Sequence, residues 1–230
     1  MKELIISITP DCLIKYYKRI KASKYNNLKT EEVFNKIYKN NEWKSSESVS
    51  GLGSELEQTK TLRAGLEKLL EEMNISSLLD IPCGDFKWMQ KVNLSSVHYT
   101  GADIVSEIIE ANKKSYQKSG IEFKVLNLID DPLSKTDLII IRDCLVHLSY
   151  EDIFAAIKNI KSSGSKYVLT TTFVNRKSNY DIVTGDWRTL NLQKKPFNFP
   201  EPLLIINEKC TEANGAYKDK SMALWEIERI

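Results

Sequence analysis

From residue 77 onward, short apolar runs alternate with stretches whose apolar positions recur every three or four residues. A short run of this kind fits a buried strand, and the longer spacing fits a helix with one buried face. Their alternation predicts parallel strands joined by covering helices. The predicted strands span residues 77–81, 98–103, 122–126, 137–142 and 166–172.

Two predicted helices lie between these strands. The first spans residues 106–119 and is ended by Gly120, a residue suited to the left-handed position after a helix. The second is capped by Ser149 with Asp152 and has an apolar stripe that includes Ile153 and Ile160.

The region before residue 76 is predicted to be a helical extension of the same domain. Helical spacing covers residues 15–22 and 31–40, with Thr30 as N-cap of the second stretch. After a Ser- and Gly-rich loop at residues 45–53, Ser54 and Glu57 form a predicted capping box that opens a third helix.

The C-terminal part has a long irregular segment followed by two strand patterns. Residues 174–202 form a predicted substrate loop, because long loops inside compact domains are usually lids or binding elements. Residues 203–208 and 222–227 predict an antiparallel hairpin at the sheet edge. The expected fold is α/β: a doubly wound, mostly parallel, seven-stranded sheet in residues 76–230, with residues 1–75 as helical extension and lid.

Composition excludes several classes of function. The chain has 230 residues, and its 33 Lys and Arg against 31 Asp and Glu leave a net charge of only +2, which disfavours a nucleic-acid role. Apolar runs are far shorter than a membrane span needs, and the N-terminus shows no export signal. Four widely spaced cysteines and two histidines predict free thiols, a cytoplasmic location and no metal site.

A tight turn follows the first predicted strand, at Asp80, Pro82, Gly84 and Asp85, and a helix is predicted to begin near Phe86. Such a turn exposes backbone N–H groups at the carboxyl edge of a sheet, where doubly wound folds hold ligands. Asp103 ends the next strand, and a carboxylate there can accept both ribose hydroxyls. Pyrophosphate binding requires more glycines than Gly84, and two flanking carboxylates suit a cationic ligand such as S-adenosylmethionine.

The Asp80-x-Pro-x-Gly84 turn, Asp103, and the segment 137–148 resemble the Rossmann-like class I S-adenosylmethionine-dependent methyltransferases. Segments 47–51, 57–59, 170–173, 186–188, 196–200 and 219–221 are similar to a small bacterial subfamily, some members of which are associated with surface-glycan gene clusters. The resemblance implies S-adenosylmethionine as cofactor and polysaccharide biosynthesis as a setting.

The resemblance also implies roles for individual residues. Gly84 would lie beneath the methionine part of the cofactor, and Asp80 would reach its ammonium group through solvent or directly. Asp103 would bind the ribose and Asn127 would lie near the adenine. Pro82 and Phe86 depart from the family by replacing usual glycines, and Pro82 removes one N–H donor. The expected cofactor-binding residues are Asp80, Pro82, Gly84, Asp85, Asp103, Ile104, Asn127, Leu128 and Arg142.

Methyl transfer requires an oriented acceptor and, for an oxygen acceptor of high pKa, a group that removes its proton. The candidates are His147 and Asp143, just beyond the fourth strand. Alternatively, His147 anchors its loop and Asp143 caps a short turn. Arg142 could hold an anionic substrate group or pair with Asp143.

Substrate-facing residues are expected in the long loop and near its neighbours. The candidates are Arg63, Thr172, Asp186, Trp187, Arg188 and Asn191. Arg63 and Trp43 could fold over the cofactor as a lid, with Gly51 and Gly53 allowing movement. Phe197 and Phe199 either grip a sugar face or pin the loop to the sheet.

The favoured hypothesis is methyl transfer to a small polar acceptor, at an oxygen of a sugar, nucleotide-linked sugar or surface-glycan precursor. One alternative is a binding or regulatory module that keeps the fold without turnover. Another is a nicotinamide-dependent nucleotide-sugar enzyme, whose Tyr-x-x-x-Lys pattern occurs at Tyr17/Lys21 and Tyr25/Lys29 but before the nucleotide turn. The oligomeric state is left open.

Overall fold

The computed structural model describes residues 23–230, which contain one seven-stranded sheet of order β3-β2-β1-β4-β5-β7-β6. Its first five strands are parallel, and β7 runs antiparallel between β5 and β6. The strands are β1 Ser77–Asp80, β2 His98–Asp103, β3 Ile121–Val125, β4 Leu138–Ile141, β5 Tyr167–Phe173, β6 Leu204–Asn207 and β7 Lys220–Glu226. The predicted α/β fold class is therefore confirmed.

The described residues contain four helices of ten or more residues: α1 Thr30–Lys39, α2 Lys60–Glu72, α3 Ser106–Tyr116 and α4 Tyr150–Ser162. Helices α2, α3 and α4 pack on the sheet, whereas Val33 and Ile37 of α1 pack with Tyr25 in a separate cluster. Because successive strand residues point to opposite faces, Leu78 packs in one core with residues of α2 and α3, and Leu79 packs in the other core with residues of α4. The all-apolar β4 serves both cores, which explains its continuous hydrophobic run.

Several predicted boundaries need correction. The Ser54–Glu57 capping box does not open a helix, because α2 begins at Lys60 with Thr59 as its N-cap and the Ser54 hydroxyl is bonded by Arg142 instead. The N-cap of α1 is Lys29, whose backbone N–H donates to the Glu32 carboxylate at 2.8 Å. The predicted helix at residues 15–22 lies outside the described residues.

The turn after β1 does not lead into the expected helix near Phe86. Residues 81–97 instead form an irregular segment whose one helical turn is Met89–Lys91, and Phe86 itself has a positive φ of 60°. The cap at Ser149 is confirmed, because its hydroxyl accepts from Asp152 N–H at 3.1 Å. Gly120 has a left-handed φ of 81° but does not end α3, which stops at Tyr116 with Gln117 as its C-cap; Gly120 lies in the turn before β3 instead.

Strand register brings the polar strand ends together. Asp80 of β1 lies opposite Gly101 of β2 and Ile140 of β4, so the residues that follow these strands share one edge of the sheet. The chain order reverses between β1 and β4, and ligands of open α/β sheets bind in the crevice at such a point. Among residues 23–230, no helix is both long and apolar enough to cross a membrane.

Candidate functional site

A cavity of about 480 Å³ lies over this crevice. One part of its lining comes from residues 81–84, 103–105 and 126–129, which follow β1, β2 and β3; we call this the turn side. The other part comes from residues 143–144, 147, 173, 185–187, 217 and 220 together with Trp43, and we call it the loop side. Residues 50–54 of the Ser- and Gly-rich loop also line the cavity.

Asp103 and Gly84 form the centre of the turn side. The Gly84 N–H donates to Asp103 Oδ2 at 3.1 Å, and the Val105 N–H donates to Oδ1 at 3.0 Å. Gly84 has a φ of 54°, a left-handed conformation that favours glycine. Burial raises the pKa of Asp103 to about 6, so its carboxyl is mostly ionised at neutral pH. Each oxygen of Asp103 therefore keeps a lone pair for a ligand hydroxyl.

Asp80 lies below the turn and does not line the cavity. Its Oδ2 accepts from the Tyr99 hydroxyl at 2.8 Å, whereas its buried Oδ1 has no hydrogen-bond partner among the described residues. Burial raises the pKa of Asp80 to about 7. The buried position of Asp80 outside the cavity lining does not favour a direct contact with a ligand ammonium group. That contact therefore stays a prediction.

Asp85 does not line the cavity either, but tethers the loop that does. Its Oδ1 accepts from the Ser48 hydroxyl and its Oδ2 from the Val49 N–H, both at 3.1 Å. A Cβ added to Gly84 would lie 2.0 Å from Ser50 Oγ, so the loop is in close contact with the turn. We call residues 48–54 the capping loop.

The remaining predicted cofactor residues line the turn side. Pro82 forms part of the turn itself, and Ile104 and Leu128 supply apolar walls. Asn127 is held by its own loop: its Nδ2 donates to Asp130 Oδ2 at 2.8 Å and its Oδ1 accepts from Ile129 N–H at 3.0 Å. An apolar slot with a fixed polar edge can hold a flat heterocycle.

A buried ion-pair network underlies the loop side. Arg142 Nη2 donates to Glu208 Oε2 and to the Gly53 carbonyl, both at 2.7 Å. Lys220 Nζ lies 2.5 Å from Asp143 Oδ2. Burial alone would raise the pKa of Asp143, but Lys220 and Arg142 outweigh it and lower the pKa to about 2. Asp143 is thus a poor proton acceptor at neutral pH.

The same network contains residues that sequence analysis did not assign to the site. Glu208 and Lys220 come from opposite ends of the β6–β7 connection, and both side chains are almost completely buried. Glu208 and Lys220 are charged residues that border apolar strands, and this pattern could have marked them as candidate site residues. Only the antiparallel pairing of β7 with β5, however, brings Lys220 to the end of β4.

His147 lines the loop side and is held by the segment 185–188. Its Nδ1 lies 2.9 Å from the Asp186 carbonyl oxygen, and its ring centroid lies 5.6 Å from that of Trp43. Burial lowers the pKa of His147, so the imidazole is neutral at neutral pH. A neutral imidazole can take a proton from an acceptor.

Asp186 and Trp187 also line the loop side, together with aromatic neighbours. The Trp187 ring packs against Tyr217 at a centroid distance of 5.0 Å and against Phe173 at 6.2 Å. This packing places a rigid aromatic surface on the loop side, which Asp186 also lines.

Four residues that were expected to face the substrate do not line the cavity: Arg63, Thr172, Arg188 and Asn191. Their polar groups bond to backbone carbonyls instead, which holds loops in place. Arg188, for example, is 0 % exposed. Phe197 and Phe199 pack against Tyr150 and Trp225, so they pin the long loop as the alternative interpretation stated. Among the described residues, no cluster of His, Cys, Asp or Glu could hold a metal ion.

Neither a protein-family model nor a curated protein sequence matches this chain. The chain is similar in structure to the N-methyltransferase NodS from Bradyrhizobium japonicum in complex with S-adenosylhomocysteine, with a TM-score of 0.58, 12% identity and coverage of 82% of this chain and 97% of that one. For PigF with S-adenosylhomocysteine the TM-score is 0.60 at 13% identity, over 84% of this chain and 62% of PigF.

A third similar structure is the [4+2]-cyclase SpnF, with a TM-score of 0.52 and 12% identity over 70% of this chain and 79% of SpnF. At these identities the similarity shows the fold alone. Because proteins with different chemistry share this fold, an assignment of function depends on the residues of the site.

Proposed function

We propose that this protein is an S-adenosylmethionine-dependent methyltransferase. The observation that carries the proposal is the position of Asp103, a cavity-lining carboxylate at the end of β2 beside the Gly84 turn. Its free lone pairs suit the two hydroxyls of a ribose, and Ile104 and Leu128 suit an adenine. NodS and PigF, which share the fold, are each described in complex with S-adenosylhomocysteine.

The charges of the cavity support this cofactor over a dinucleotide. The cations Arg142 and Lys220 are already paired with Glu208 and Asp143, so they are not available for a pyrophosphate. Asp103 and Asp186 instead add negative charge to the lining, which favours a ligand with a sulfonium and an ammonium group. When bound, S-adenosylmethionine supplies a methyl group on an activated sulfonium.

The protein contributes orientation and exclusion of water to such a transfer. The capping loop covers the turn side and is held there by Asp85 and Arg142, which come from different parts of the sheet edge. A closed cavity keeps the reacting groups aligned, and alignment alone is worth effective molarities of about 10⁵ M or more in favourable model reactions.

The acceptor that we propose is an oxygen of a sugar, a nucleotide-linked sugar or a surface-glycan precursor, in a cytoplasmic step of polysaccharide biosynthesis. The support is that the packed Trp187 and Tyr217 rings and Asp186 all line the loop side of the cavity. Sugar rings pack their C–H faces on aromatic rings while carboxylates accept their hydroxyls. Arg188, one of the predicted substrate-facing residues, does not contribute because it is buried and does not line the cavity.

Calorimetric titration with S-adenosylhomocysteine tests the cofactor, with NADH as the comparison ligand. We expect one-to-one micromolar binding of the first ligand and no heat from the second. Asp103→Ala should weaken binding at least about tenfold, because it removes charged hydrogen bonds to the ribose. Glu110→Ala, at an exposed position of α3, is the matched control and should bind normally. Normal affinity in Asp103→Ala would overturn the assignment of this site.

Transfer of a labelled methyl group tests the reaction. The purified protein is incubated with S-adenosyl[methyl-³H]methionine and separate pools of neutral sugars, nucleotide-linked sugars and amines. Labelling of hydroxyl-bearing sugars supports the proposal, and labelling of amines alone contradicts the oxygen acceptor. Cofactor binding with no transfer to any pool would favour a binding module or another reaction on the same fold.

A further inference from the structure

Arg188 is a buried cation without a carboxylate partner among the described residues. Its Nη1 donates to the carbonyls of Leu145 and Val146 at 3.3 and 3.2 Å, and its guanidinium lies 5.4 Å from the centroid of the Tyr150 ring. Within residues 23–230, its Nε and Nη2 have no hydrogen-bond partner. Burial lowers the pKa of Arg188 and outweighs the charges of Asp181 and Asp186, which raise it, and no described carboxylate forms an ion pair with it. Because such burial is costly, the position of Arg188 requires an explanation beyond packing.

Both carbonyls belong to the residues immediately before His147. The backbone continues the same contact on either side: Arg188 N–H donates to the Val146 carbonyl at 3.1 Å, and Gly185 N–H donates to the His147 carbonyl at 2.8 Å. The segments 145–147 and 185–188 are thus held side by side. The Arg188 side chain contributes by donating to the carbonyls of Leu145 and Val146. This arrangement leaves the His147 backbone little freedom.

The side chain of His147 is fixed by the same segment. Its Nδ1 is 2.9 Å from the Asp186 carbonyl oxygen, and a carbonyl oxygen only accepts hydrogen bonds. Nδ1 therefore carries the proton in the neutral ring, and Nε2 is left as an acceptor.

The charged groups around His147 act in opposite directions. Burial and the Arg188 cation lower the pKa of His147, while Asp143 and Asp186 raise it. The net direction is downward, so the ring is neutral and able to accept a proton at neutral pH. Arg188 thus acts on His147 through both geometry and charge.

We infer that Arg188 is a positioning residue that fixes His147 as an Nδ1-protonated imidazole whose Nε2 takes the proton of an acceptor hydroxyl. The inference rests on the proposed function for the transfer itself. In that step the hydroxyl oxygen bonds to the methyl carbon, the carbon–sulfur bond breaks with its electron pair on sulfur, and the hydroxyl proton passes to Nε2. The imidazolium then returns the proton to solvent, so an oxygen acceptor needs no further reactant.

Nuclear magnetic resonance of the histidine nitrogens tests the inference without any substrate. The chain has two histidines, and His98 is largely exposed, so His98→Gln leaves His147 as the single signal. In this background we expect the Nδ1-protonated tautomer and a titration midpoint below about 6.5, the ordinary value for histidine. An Nε2-protonated ring, or an ordinary midpoint, would overturn the inference.

Variants of Arg188 separate positioning from general stability. Arg188→Met should raise the midpoint of His147 and yield a mixture of tautomers, because both the cation and the carbonyl bonds are lost. Arg188→Lys keeps the charge, so its midpoint should stay closer to that of the parent protein. Arg229→Met, at an exposed ion pair, is the matched control and should change neither property. An unchanged midpoint and tautomer of His147 in Arg188→Met would refute the positioning role of Arg188. If Arg188→Met does not fold, the role is tested by the His147 midpoint and tautomer in Arg188→Lys, compared with those of the parent protein.

Kinetics on an identified acceptor give the second measurement. His147→Gln should lower kcat by about 10²-fold or more, the usual loss on removal of a general base, with S-adenosylhomocysteine affinity within about twofold of the parent. In Arg188→Met the acidic limb of the kcat profile should move to higher pH. If the cofactor fails to bind while the tautomer is as expected, the proposed function fails alone. If the cofactor binds while the tautomer differs, only the role of Arg188 fails.

Discussion

Asp80 is a carboxylic acid whose burial has a measurable consequence for stability. Its folded-state pKa of about 7 lies above the ordinary value of 3.8, so the folded protein binds more protons in this interval than the unfolded chain does. For such a group, stability falls as the pH rises from about 4 to about 7. Asp103 has the same effect on the pH dependence of stability, because its folded-state pKa is raised to about 6.

Asp80→Asn removes the titration while keeping the shape of the side chain and an acceptor for Tyr99. We therefore expect its free energy of unfolding, relative to the parent protein, to increase as the pH rises through this window and then to level off. Urea unfolding of the ligand-free protein from about pH 4 to about pH 8 measures the difference. A pH-independent difference would contradict the burial of an ionisable Asp80.

Asp137 serves as a control, because its effect on the pH dependence of stability has the opposite sign. Hydrogen bonds from Ser76 and Ser77 lower its pKa, so its stabilising effect is present above the unfolded pKa and is lost as the pH falls through the folded pKa. Asp137→Asn should therefore be less stable than the parent at neutral pH, and this deficit should shrink in acid.

At the scale of elements, the contact between α2 and β6 depends on a missing side chain. Gly65 lies inside α2, where alanine is usually favoured by about 1 kcal/mol. Here a Cβ would lie 2.8 Å from Cγ2 and 3.2 Å from Cδ1 of Ile206, and overpacking of this kind costs about 1–3 kcal/mol. We expect Gly65→Ala to lower the free energy of unfolding by about 1 kcal/mol.

A double-mutant cycle identifies the cause of that loss. In an Ile206→Ala background the clash is absent, so Gly65→Ala should become neutral or stabilising, as measured by chemical unfolding of all four proteins. Equal effects of Gly65→Ala in both backgrounds would show that the helix, and not its contact with β6, sets the outcome.

The capping loop is the element that we expect to control access to the turn side. Asp85→Ala removes the acceptors of the Ser48 hydroxyl and the Val49 N–H, so amide hydrogen exchange within residues 48–54 should accelerate. The affinity for S-adenosylhomocysteine should fall by about tenfold, the equivalent of roughly 1.4 kcal/mol. Glu72→Ala, at an exposed pair on α2, should leave both measurements unchanged; unchanged exchange in Asp85→Ala would contradict the tethering role.

At the scale of the whole molecule, the site joins parts of the chain that are far apart in sequence. Residues following β1, β2, β3, β4 and β5 line one cavity, so a ligand bound there stabilises the folded sheet as a unit. At about 100 times its dissociation constant, a ligand that binds only the folded state adds about 2.7 kcal/mol. For a domain of this size we expect S-adenosylhomocysteine to raise Tm by about 5–10 °C.

Differential scanning calorimetry measures this shift, and Asp103→Ala is expected to reduce it at the same ligand concentration. NADH should leave Tm unchanged. A Tm shift with NADH alone would instead favour the nicotinamide alternative.

Much of the sheet could be predicted from local pattern. The apolar runs of β1, β2, β4 and β5 are buried on both faces, and their predicted bounds differ from the structure by at most a residue or two. Helix starts were less predictable, since Ser54 and Glu57 satisfy a capping pattern but Ser54 is bonded by Arg142, which follows β4. A local pattern cannot show that a distant side chain will take one of its members.

The residues of the candidate site also fall into those that local pattern indicated and those that only the folded chain brings to the cavity. Asp103, Gly84 and His147 line the cavity, and each ends or follows a predicted strand, so local pattern indicated their placement near one sheet edge. Asp186 and Trp187 reach the cavity because the long loop packs onto the chain after β4. Their chemical roles stay predictions that the binding, transfer and resonance experiments test.

What the sequence by itself determined is the alternation of buried strands and covering helices, because apolar burial follows from local spacing. Only the tertiary structure decided which polar residues of the loops line the cavity and which are buried behind it. Arg188 became a buried support behind His147, and Lys220 reached Asp143, because the long loop packs onto the chain after β4 and β7 inserts beside β5. Such contacts join residues distant in the chain, and their burial and charge exist only once the chain is folded.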